Sequence, residues 1–217
     1  MSITTIPIKK IDFPDSQYVK EKYNKKQIVI HHTVSGDNVY SIASWWKHDK
    51  PRIATSIIID RKGTPYQLFS TNYWGYHLGI KKKVFNIYNI KYTRLDKYSI
   101  GVELTNWGGL TEHSDGKLYT VYGNTVPKSQ TVYYEKGFRG FNWFQKYTNE
   151  QIKTLKELIL YWNKHWNIDL TYNEDMWDVS KDALKGKNGV WTHVSFRKDK
   201  SDCHPQKELI DMLETLL

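Results

Sequence analysis

Two segments that lie far apart in the chain contain side chains able to bind a metal ion. The first, residues 28–33, is a short β-branched run that includes two adjacent histidines. The second, residues 192–205, offers another histidine and, one loop later, a carboxylate beside a thiol. Two histidines and one anionic group form the ligand set of a catalytic zinc site, whose fourth position stays open for water. The candidate ligands are His31 or His32, His193, and Asp202 or Cys203.

A further segment between these two supplies a carboxylate. Residues 99–104 have the sequence Ser-Ile-Gly-Val-Glu-Leu, the pattern of a buried strand in which Glu103 is the charged residue. An unpaired buried charge is costly, so an acid in an apolar strand favours a functional role over simple packing. With Glu103 added to the candidate ligands, the chain contains the parts of a zinc hydrolase.

Hydrophobic periodicity and turn signals indicate the elements that must position these residues. The β-branched runs predict buried strands. A capping-box sequence at residues 148–151, followed by an apolar stripe, predicts a long helix. The predicted helices cover residues 16–25 and 39–47 and begin at residues 148 and 205; the predicted strands are 28–32, 54–59, 66–69, 100–104 and an edge strand at 118–122.

The composition predicts a single folded domain. Of the 217 residues 39% are hydrophobic, which excludes a disordered chain. We find no Pro- or Gly-rich linker and no internal repeat, so we predict one domain over residues 1–217, with its core at about 26–217. Residues 123–147 are predicted to be a long surface excursion and residues 167–190 a further loop. The loose alternation of strands and helices predicts an α/β (α+β) fold with a mixed central β-sheet flanked by helices.

The charge restricts the classes of partner. The formal net charge is +9 and the pI is about 9.3, which favours an anionic partner or surface. The lysines are spread along the chain without an arginine-rich stripe, a zinc-finger spacing or a nucleic-acid-binding motif, so we expect no nucleic-acid partner. A bacterial wall that bears acidic polymers would suit the same charge.

The expected compartment follows from the single cysteine and the N-terminus. One cysteine excludes an internal disulfide. Residues 1–7 show no cationic segment followed by a long apolar run, and no stretch approaches the roughly 18 apolar residues of a membrane span. We therefore expect a monomer that is synthesised in the cytoplasm without a signal peptide or transmembrane segment. It would need release to reach a substrate outside the membrane.

Blocks of this sequence resemble those of the type 2 N-acetylmuramoyl-L-alanine amidase family, which includes phage lysins, bacterial wall-recycling amidases and animal peptidoglycan recognition proteins. The resemblance depends on the order and spacing of the blocks and spans about residues 26–217. The blocks are Ile-Val-Ile-His-His-Thr at 28–33, Ser-Ile-Ile-Ile-Asp-Arg-Lys-Gly at 56–63, Tyr-His-Leu-Gly at 76–79, Ser-Ile-Gly-Val-Glu-Leu at 99–104, and His193 with Lys-Ser-Asp at 200–202.

The resemblance implies a zinc site and selects its ligands. Strand alternation sends the side chains of His31 and His32 to opposite faces, so only one of them can bind, and the family pattern selects His31. His193 matches the second histidine ligand. A lysine two places before the ligand favours Asp202 as the third, whereas family members with a cysteine after an aspartate point to Cys203 as the alternative.

The resemblance also implies the reaction and the roles of neighbouring residues. Some members have a tyrosine before the Asp-Arg-Lys-Gly turn and often lack the acid of the central strand; this chain has Thr55 and Glu103 there, so Glu103 is the candidate general base. The implied reaction cleaves the amide between N-acetylmuramic acid and L-alanine in peptidoglycan, with Lys200 or His77 holding the developing oxyanion. We expect His77 and Trp74 to contact the substrate.

The inferred setting is a phage or prophage endolysin that acts on an anionic cell wall after release. Three alternatives stay open. One is a cytoplasmic wall-recycling amidase, and another is a non-catalytic peptidoglycan-binding module of the same fold. The third is a thiol hydrolase built on Cys203 and His193, which is disfavoured because the thiol follows a charged loop with no evident helix N-terminus to activate it.

Overall fold

The computed structural model describes residues 7–216. Residues 1–6, on which the expected absence of a signal peptide depends, and residue 217 of the predicted domain lie outside them. The strands are β1 Lys9–Lys10, β2 Gln27–His32, β3 Ile57–Ile59, β4 Pro65–Gln67, β5 Ser99–Leu104, β6 Gly109–Glu112, β7 Leu118–Tyr119, β8 Thr125–Val126, β9 Thr131–Phe138, β10 Phe141–Gln145 and β11 Gly189–Thr192. The helices are α1 Val39–Lys47, α2 Lys82–Ile87, α3 Asn149–Trp166, α4 Lys181–Leu184 and α5 Lys207–Glu214.

The central sheet confirms the predicted mixed α/β architecture. Its strands lie in the order β1-β4-β3-β5-β2-β11. Strands β3, β5, β2 and β11 run parallel, whereas β4 is antiparallel to β3. The strands predicted at 28–32 and 100–104 become β2 and β5, which are buried along their whole length. Because neighbouring strands are parallel, their carboxyl ends meet at one edge, where ligands bind in open α/β sheets.

Helices cover both faces of this sheet. Alternate residues of β3 show the two layers: Ile57 and Ile59 belong to the larger core, which includes α3 and α5, whereas Ile58 packs into a second core with α1. Burial on both faces explains why the central strands are continuously apolar. Among the described residues, no helix combines the length and apolarity needed to cross a bilayer.

Helix α3 begins where its capping box predicted. The Thr148 hydroxyl accepts the backbone N–H of Gln151, and the Gln151 side chain accepts the backbone N–H of Thr148, both at 3.1 Å. The amide of Gln151 also donates to the carbonyls of Ile59 and Thr105, at 3.2 and 3.0 Å. The first turn of α3 is thereby tied to the ends of β3 and β5.

The prediction of a surface excursion over residues 123–147 was wrong. This segment supplies β8, β9 and β10 of a second, antiparallel sheet in the order β8-β7-β6-β10-β9. The edge strand predicted at 118–122 is shorter and lies between β6 and β8. Leu110, Leu118 and Val126 form the small core of this sheet. Its strands alternate only weakly in burial and pair at a distance along the chain, so local periodicity did not show them. The predicted loop at 167–190 likewise contains α4 and the start of β11.

The chain enters and leaves the second sheet at one place, where the residues after β5 meet the end of β10. Asn106, just after β5, donates its side-chain N–H to the carbonyl of Gln145, the last residue of β10, at 3.0 Å. The Gln145 side chain accepts the backbone N–H of Trp107 at 2.8 Å, and its backbone N–H donates to Gly108 at 3.0 Å. These hydrogen bonds close the base of the second sheet.

The helix predicted over residues 16–25 was also wrong. The structure has a 3-10 turn at Asp15–Gln17, followed by extended chain. Val19 and Trp74 exchange backbone hydrogen bonds at 2.8 and 3.3 Å, and the buried ammonium of Lys25 donates to two backbone carbonyls at 2.8 and 3.0 Å. A short polar segment without an apolar stripe gains little from a helix, so these long-range partners decide its conformation.

Two substitutions in α3 test this packing. Leu155 is fully buried, whereas Leu160 is 39% exposed on the same helix. We expect Leu155→Ala to lower the free energy of unfolding by about 2–5 kcal/mol, because the cavity adds to the lost burial. Leu160→Ala should cost less than about 1 kcal/mol. Urea denaturation of both variants measures the difference, and equal costs would contradict the assignment of the α3 face.

Candidate metal centre and active site

The carboxyl edge of the central sheet brings two of the predicted ligands together. His31 is the fifth residue of β2, and His193 follows β11 directly, in a 3-10 turn at His193–Ser195. Strands β2 and β11 are parallel neighbours in which Thr192 lies beside Ile30. The next residue on each strand is a histidine, so the parallel register places the two imidazoles side by side.

Asp202 completes a compact group of three side chains. The Nδ1 atoms of His31 and His193 are 3.1 Å apart, and Oδ2 of Asp202 lies 3.0 and 2.9 Å from them. All three residues are buried, with exposed fractions of 2%, 5% and 7%. Ligand atoms around a tetrahedral zinc ion are separated by about 3.3 Å, given metal–ligand bonds of about 2.0–2.1 Å. The triangle therefore has the size and the donor types of a site for a small divalent ion.

The loop that contains Asp202 is held at more than one point. The Asp202 carbonyl accepts the backbone N–H of Val194 at 3.0 Å. Arg139, in the turn between β9 and β10, donates to the carbonyl of Lys198 at 2.9 Å and to the carboxylate of Asp178 at 2.7 Å. The second sheet thus contacts the loop between the two candidate ligands His193 and Asp202.

A hydrogen bond on the far side of the His193 ring fixes its tautomer. Its Nε2 lies 3.0 Å from the backbone carbonyl of Leu78, and a carbonyl oxygen only accepts. In the neutral form of His193 the proton therefore lies on Nε2, and Nδ1, which faces His31 and Asp202, has the free lone pair.

A chain of side chains fixes the tautomer of His31 in the same way. Its Nε2 lies 2.9 Å from Nδ1 of His77, and Nε2 of His77 lies 2.8 Å from the Ser99 hydroxyl. Ser99 donates to the carbonyl of Leu95 at 3.0 Å, so the hydroxyl accepts from His77. The donors then all point the same way, from His31 towards Leu95, and Nδ1 of His31 is also a bare lone pair. An outer hydrogen bond of this kind commonly orients a histidine that binds metal.

Burial and neighbouring side chains lower the pKa values of His31 and Asp202. Burial, together with the nearby His193, lowers the pKa of His31 to about 4. Burial alone would raise the pKa of Asp202, but the His193 and His31 rings hold it well below its usual range. The carboxylate of Asp202 therefore lies charged between two ring nitrogens. Histidine nitrogen with carboxylate oxygen is a donor set that zinc accepts.

Glu103 lies beside this group on the same face of the sheet. In the parallel pair of β2 and β5, Glu103 is the register partner of His31, so their side chains project to the same side. Burial, reinforced by the charge of Asp202, raises the pKa of Glu103 well above its usual range. Its Oε2 is buried without a hydrogen-bond partner in the described part of the protein. An unpartnered buried carboxyl oxygen next to a metal site suits a group that exchanges protons with substrate.

The two remaining candidates on the ligand loop differ in position. Lys200 is half-buried, and its charge acts on both His31 and Glu103. Cys203 is fully buried and lies against Tyr147, outside the group formed by the three converging atoms. Burial raises the pKa of the Cys203 thiol well above its usual range, so it remains protonated. This placement favours Asp202 over Cys203 as a ligand.

His77 and Trp74, which the sequence suggested as substrate contacts, are both buried. His77 is 7% exposed and is engaged with His31 and Ser99, and Trp74 is 5% exposed with its ring 5.2 Å from that of Tyr76. The contact with His31 places His77 behind the group formed by His31, His193 and Asp202, where it supports the His31 ring. The substrate contacts of both residues stay predictions.

Ser99 and Tyr147 are polar residues at the site that the sequence analysis did not single out. Ser99 opens β5 and ends the hydrogen-bond chain from His31, whereas Tyr147 precedes α3 and touches the residue after Asp202. Ser99 lies two and four residues before Gly101 and Glu103, on the same face of the strand, and this alternation was the available signal. Nothing local in the sequence indicated Tyr147.

Comparisons with known proteins agree with this arrangement. The family model described as N-acetylmuramoyl-L-alanine amidase matches residues 21–205. Among solved structures, PlyL has a TM-score of 0.55 at 12% identity, covering 97% of this chain and 99% of that one. A mutant endolysin from Bacillus subtilis has a TM-score of 0.55 at 16% identity, covering 97% of each chain. An AmpD derivative has a TM-score of 0.51 at 13% identity, covering 97% of this chain and 94% of that one. These likenesses show a shared fold. In the comparison with curated protein sequences, none matches.

The buried histidines predict how the chelator-treated protein responds to acid. Burial, the largest cause for each, lowers the pKa of His31 and of His32 to about 4 from the ordinary 6.5. Between these values the unfolded chain binds protons that the folded chain excludes. The free energy of unfolding should therefore fall as pH drops from 6.5 towards 4, by about 1.4 kcal/mol per pH unit for each such histidine. Above pH 6.5 they should contribute no slope.

Urea denaturation of the metal-free protein between pH 5 and pH 7.5 measures this slope. The matched control is His48→Gln, because His48 is an exposed histidine on the surface after α1. That variant should keep the slope of the unmodified chain. A flat profile between pH 5 and pH 6.5 would contradict the assignment of neutral, buried rings.

Proposed function

The chain belongs to the N-acetylmuramoyl-L-alanine amidase family, and from this membership we propose that it is a zinc-dependent amidase acting on peptidoglycan. The bond cleaved would be the amide between N-acetylmuramic acid and L-alanine. One observation supports this proposal most strongly: lone pairs of His31, His193 and Asp202 converge within 3.1 Å of one another at the carboxyl edge of the sheet. The family supplies the reaction class, and the geometry supplies a reason for a metal.

The residues that would hold zinc are those three, through Nδ1 of each histidine and Oδ2 of Asp202. They fit the ion because the outer hydrogen bonds of both rings are made through Nε2, which leaves Nδ1 of each neutral ring free to bind. Zinc, when bound with an open position, lowers the pKa of water towards 7 and polarises a carbonyl. His77 and Ser99 would keep the His31 ring in the tautomer that binds.

Glu103 would act as the general base. Its carboxylate would accept a proton from the attacking water and return it to the amine that leaves, a role that requires a group able to exchange protons near neutral pH. Burial, which raises its pKa, favours that ability. The half-buried Lys200, whose positive charge acts on Glu103, would stabilise negative charge that develops on the carbonyl oxygen.

We propose a lytic setting for this reaction. The net charge of +9 suits attraction to a wall that bears acidic polymers. One of the structures with a similar fold is an endolysin from Bacillus subtilis. A cytoplasmic recycling enzyme, the second candidate, would gain less from a strong positive charge.

Digestion of purified peptidoglycan tests the activity, with Glu103→Gln as the critical variant. The protein should release new N-terminal alanine and no new reducing sugar. Glu103→Gln should keep its fold, zinc content and wall binding, while turnover falls by about 100-fold or more, because the amide cannot accept the proton. Glu135→Gln, an exposed acid on β9, serves as the matched control and should digest normally.

The outcomes of this assay separate the alternatives. New reducing sugar instead of N-terminal alanine would overturn the amidase proposal. Wall binding without any product would indicate a non-catalytic binding module. Near-normal turnover by Glu103→Gln would show that Glu103 is structural and that another residue is the base.

The identity of the third ligand is tested by two substitutions at neighbouring positions. The purified protein should contain close to one zinc ion, and Asp202→Ala should lose both zinc and activity because two histidines alone hold the ion weakly. Cys203→Ser should retain most of both, since the thiol lies against Tyr147 and outside the group of converging atoms. Metal analysis and the alanine-release assay measure the result. The reverse pattern would move the ligand to Cys203, and full activity in a verified zinc-free sample would remove the metal from the mechanism.

A further inference from the structure

A second buried cluster lies on the face of β2 opposite to the group formed by His31, His193 and Asp202. It contains the residue that follows His31 and the two residues that follow Asp202. Each of these side chains meets the same tyrosine, which immediately precedes the N-cap of α3. The members of this cluster are His32, Cys203, His204 and Tyr147, each at most 3% exposed.

The hydroxyl of Tyr147 is the point at which these residues meet. It lies 2.9 Å from Nδ1 of His32 and accepts the backbone N–H of His204 at 3.2 Å. The Cys203 thiol also contacts it. One oxygen atom thus bridges the end of β2 and the loop that follows Asp202.

The position of that oxygen is itself fixed. The Tyr147 ring stacks on the His204 ring, with centroids 4.4 Å apart and planes within 17°. The backbone of Tyr147 is held by both ends of the Gln206 amide: its N–H donates to Oε1 at 2.7 Å, and its carbonyl accepts from Nε2 at 3.1 Å. The His204 ring in turn donates to the carbonyl of Gln145 at 3.0 Å and meets the Tyr134 hydroxyl at 2.8 Å. A hydroxyl held this firmly can transmit a defined position to what it binds.

We infer that the Tyr147 hydroxyl positions the zinc ligands by setting the distance between His31 and Asp202 from behind the sheet. His31 precedes His32, whose ring the hydroxyl contacts, and Asp202 precedes Cys203, whose thiol contacts the same hydroxyl. Without the hydroxyl, the strand end and the ligand loop would lose their shared contact, and the two ligand atoms could separate. Residues that orient metal ligands typically change metal affinity by about 10–100-fold when they are removed. This inference rests on the proposed zinc site.

The same contacts hold two other side chains that could bind metal outside the proposed zinc site. His32 and Cys203 neighbour the proposed ligands in sequence and have metal-binding side chains, yet both turn towards Tyr147. Strand alternation accounts for the direction of the His32 side chain, and the contact with Tyr147 accounts for that of the Cys203 thiol. The hydroxyl therefore also selects which donor of the loop faces the metal.

The test is the zinc dissociation constant of Tyr147→Phe, measured by competition with a chelator. This variant keeps the ring that stacks on His204 and removes only the hydroxyl. The matched control is Tyr66→Phe, which removes another buried hydroxyl, bonded to Asp60 at 3.2 Å and unconnected to the ligand segments. We expect zinc binding to weaken by about tenfold or more in Tyr147→Phe and to stay within about twofold of the unmodified chain in Tyr66→Phe. The absorption spectrum of the cobalt-substituted protein should change only in Tyr147→Phe.

A second pair of variants keeps the inference testable if Tyr147→Phe does not fold. The side-chain amide of Asn can occupy the place of the histidine Nδ1, so His32→Asn should bind zinc nearly as the unmodified chain does. His32→Leu cannot bond to the hydroxyl and should weaken zinc binding to about the same extent as Tyr147→Phe. Equal affinities in these two variants, or an unchanged affinity in Tyr147→Phe, would overturn the inference. A native chain that binds no zinc would instead overturn the proposed function.

Discussion

The arrangement on which the rest of the structure depends is the convergence of three buried polar side-chain atoms, one of them on a charged carboxylate. Nδ1 of His31, Nδ1 of His193 and Oδ2 of Asp202 lie within 3.1 Å of one another in a buried setting. Collecting such polar atoms away from water is costly, so packing and hydrogen bonding must hold them in place. The parallel strands β2 and β11 fix the two histidines, and hydrogen bonds on their far sides decide which nitrogen each one presents.

The two faces of strand β2 hold the site through different sets of residues. One face presents His31 next to Glu103 and is backed by His77 and Ser99, and the other presents His32 to a cluster around Tyr147. The adjacent histidines are therefore not redundant, because the alternation of a strand gives them different partners. Close packing supports the arrangement on the first face. A Cβ atom on Gly101 would lie 3.0 Å from the His77 ring and 2.8 Å from the methyl group of Thr55, so glycine leaves room for that ring.

Much of the fold was predictable because its signals are local. The continuous β-branched runs gave β2 and β5, the helix over residues 39–47 was predicted with its observed bounds, and the capping box at Thr148 located the start of α3. The errors arose where distant partners decide the conformation. Residues 16–25 are held extended by backbone pairing, and residues 123–147 form strands whose partners are not evident in local periodicity. The site shows the same division: the proposed ligands were named from motif order, whereas the role of the Tyr147 hydroxyl depends on contacts between three separate segments.

The closed base of the second sheet has a consequence for how this protein can vary. Asn106, Trp107 and Gly108 all form hydrogen bonds with Gln145. The chain therefore enters and leaves the second sheet at two positions that are hydrogen-bonded directly to each other. The register of β5 and the start of α3 are set by contacts outside the segment that these hydrogen bonds enclose. The length of the enclosed segment can therefore change without shifting either element. Loop-closure entropy grows only slowly with length, which makes such changes inexpensive in stability. Related proteins could therefore lengthen, shorten or replace the second sheet, provided that the contacts made by Arg139 and by the Tyr134 hydroxyl are replaced as well.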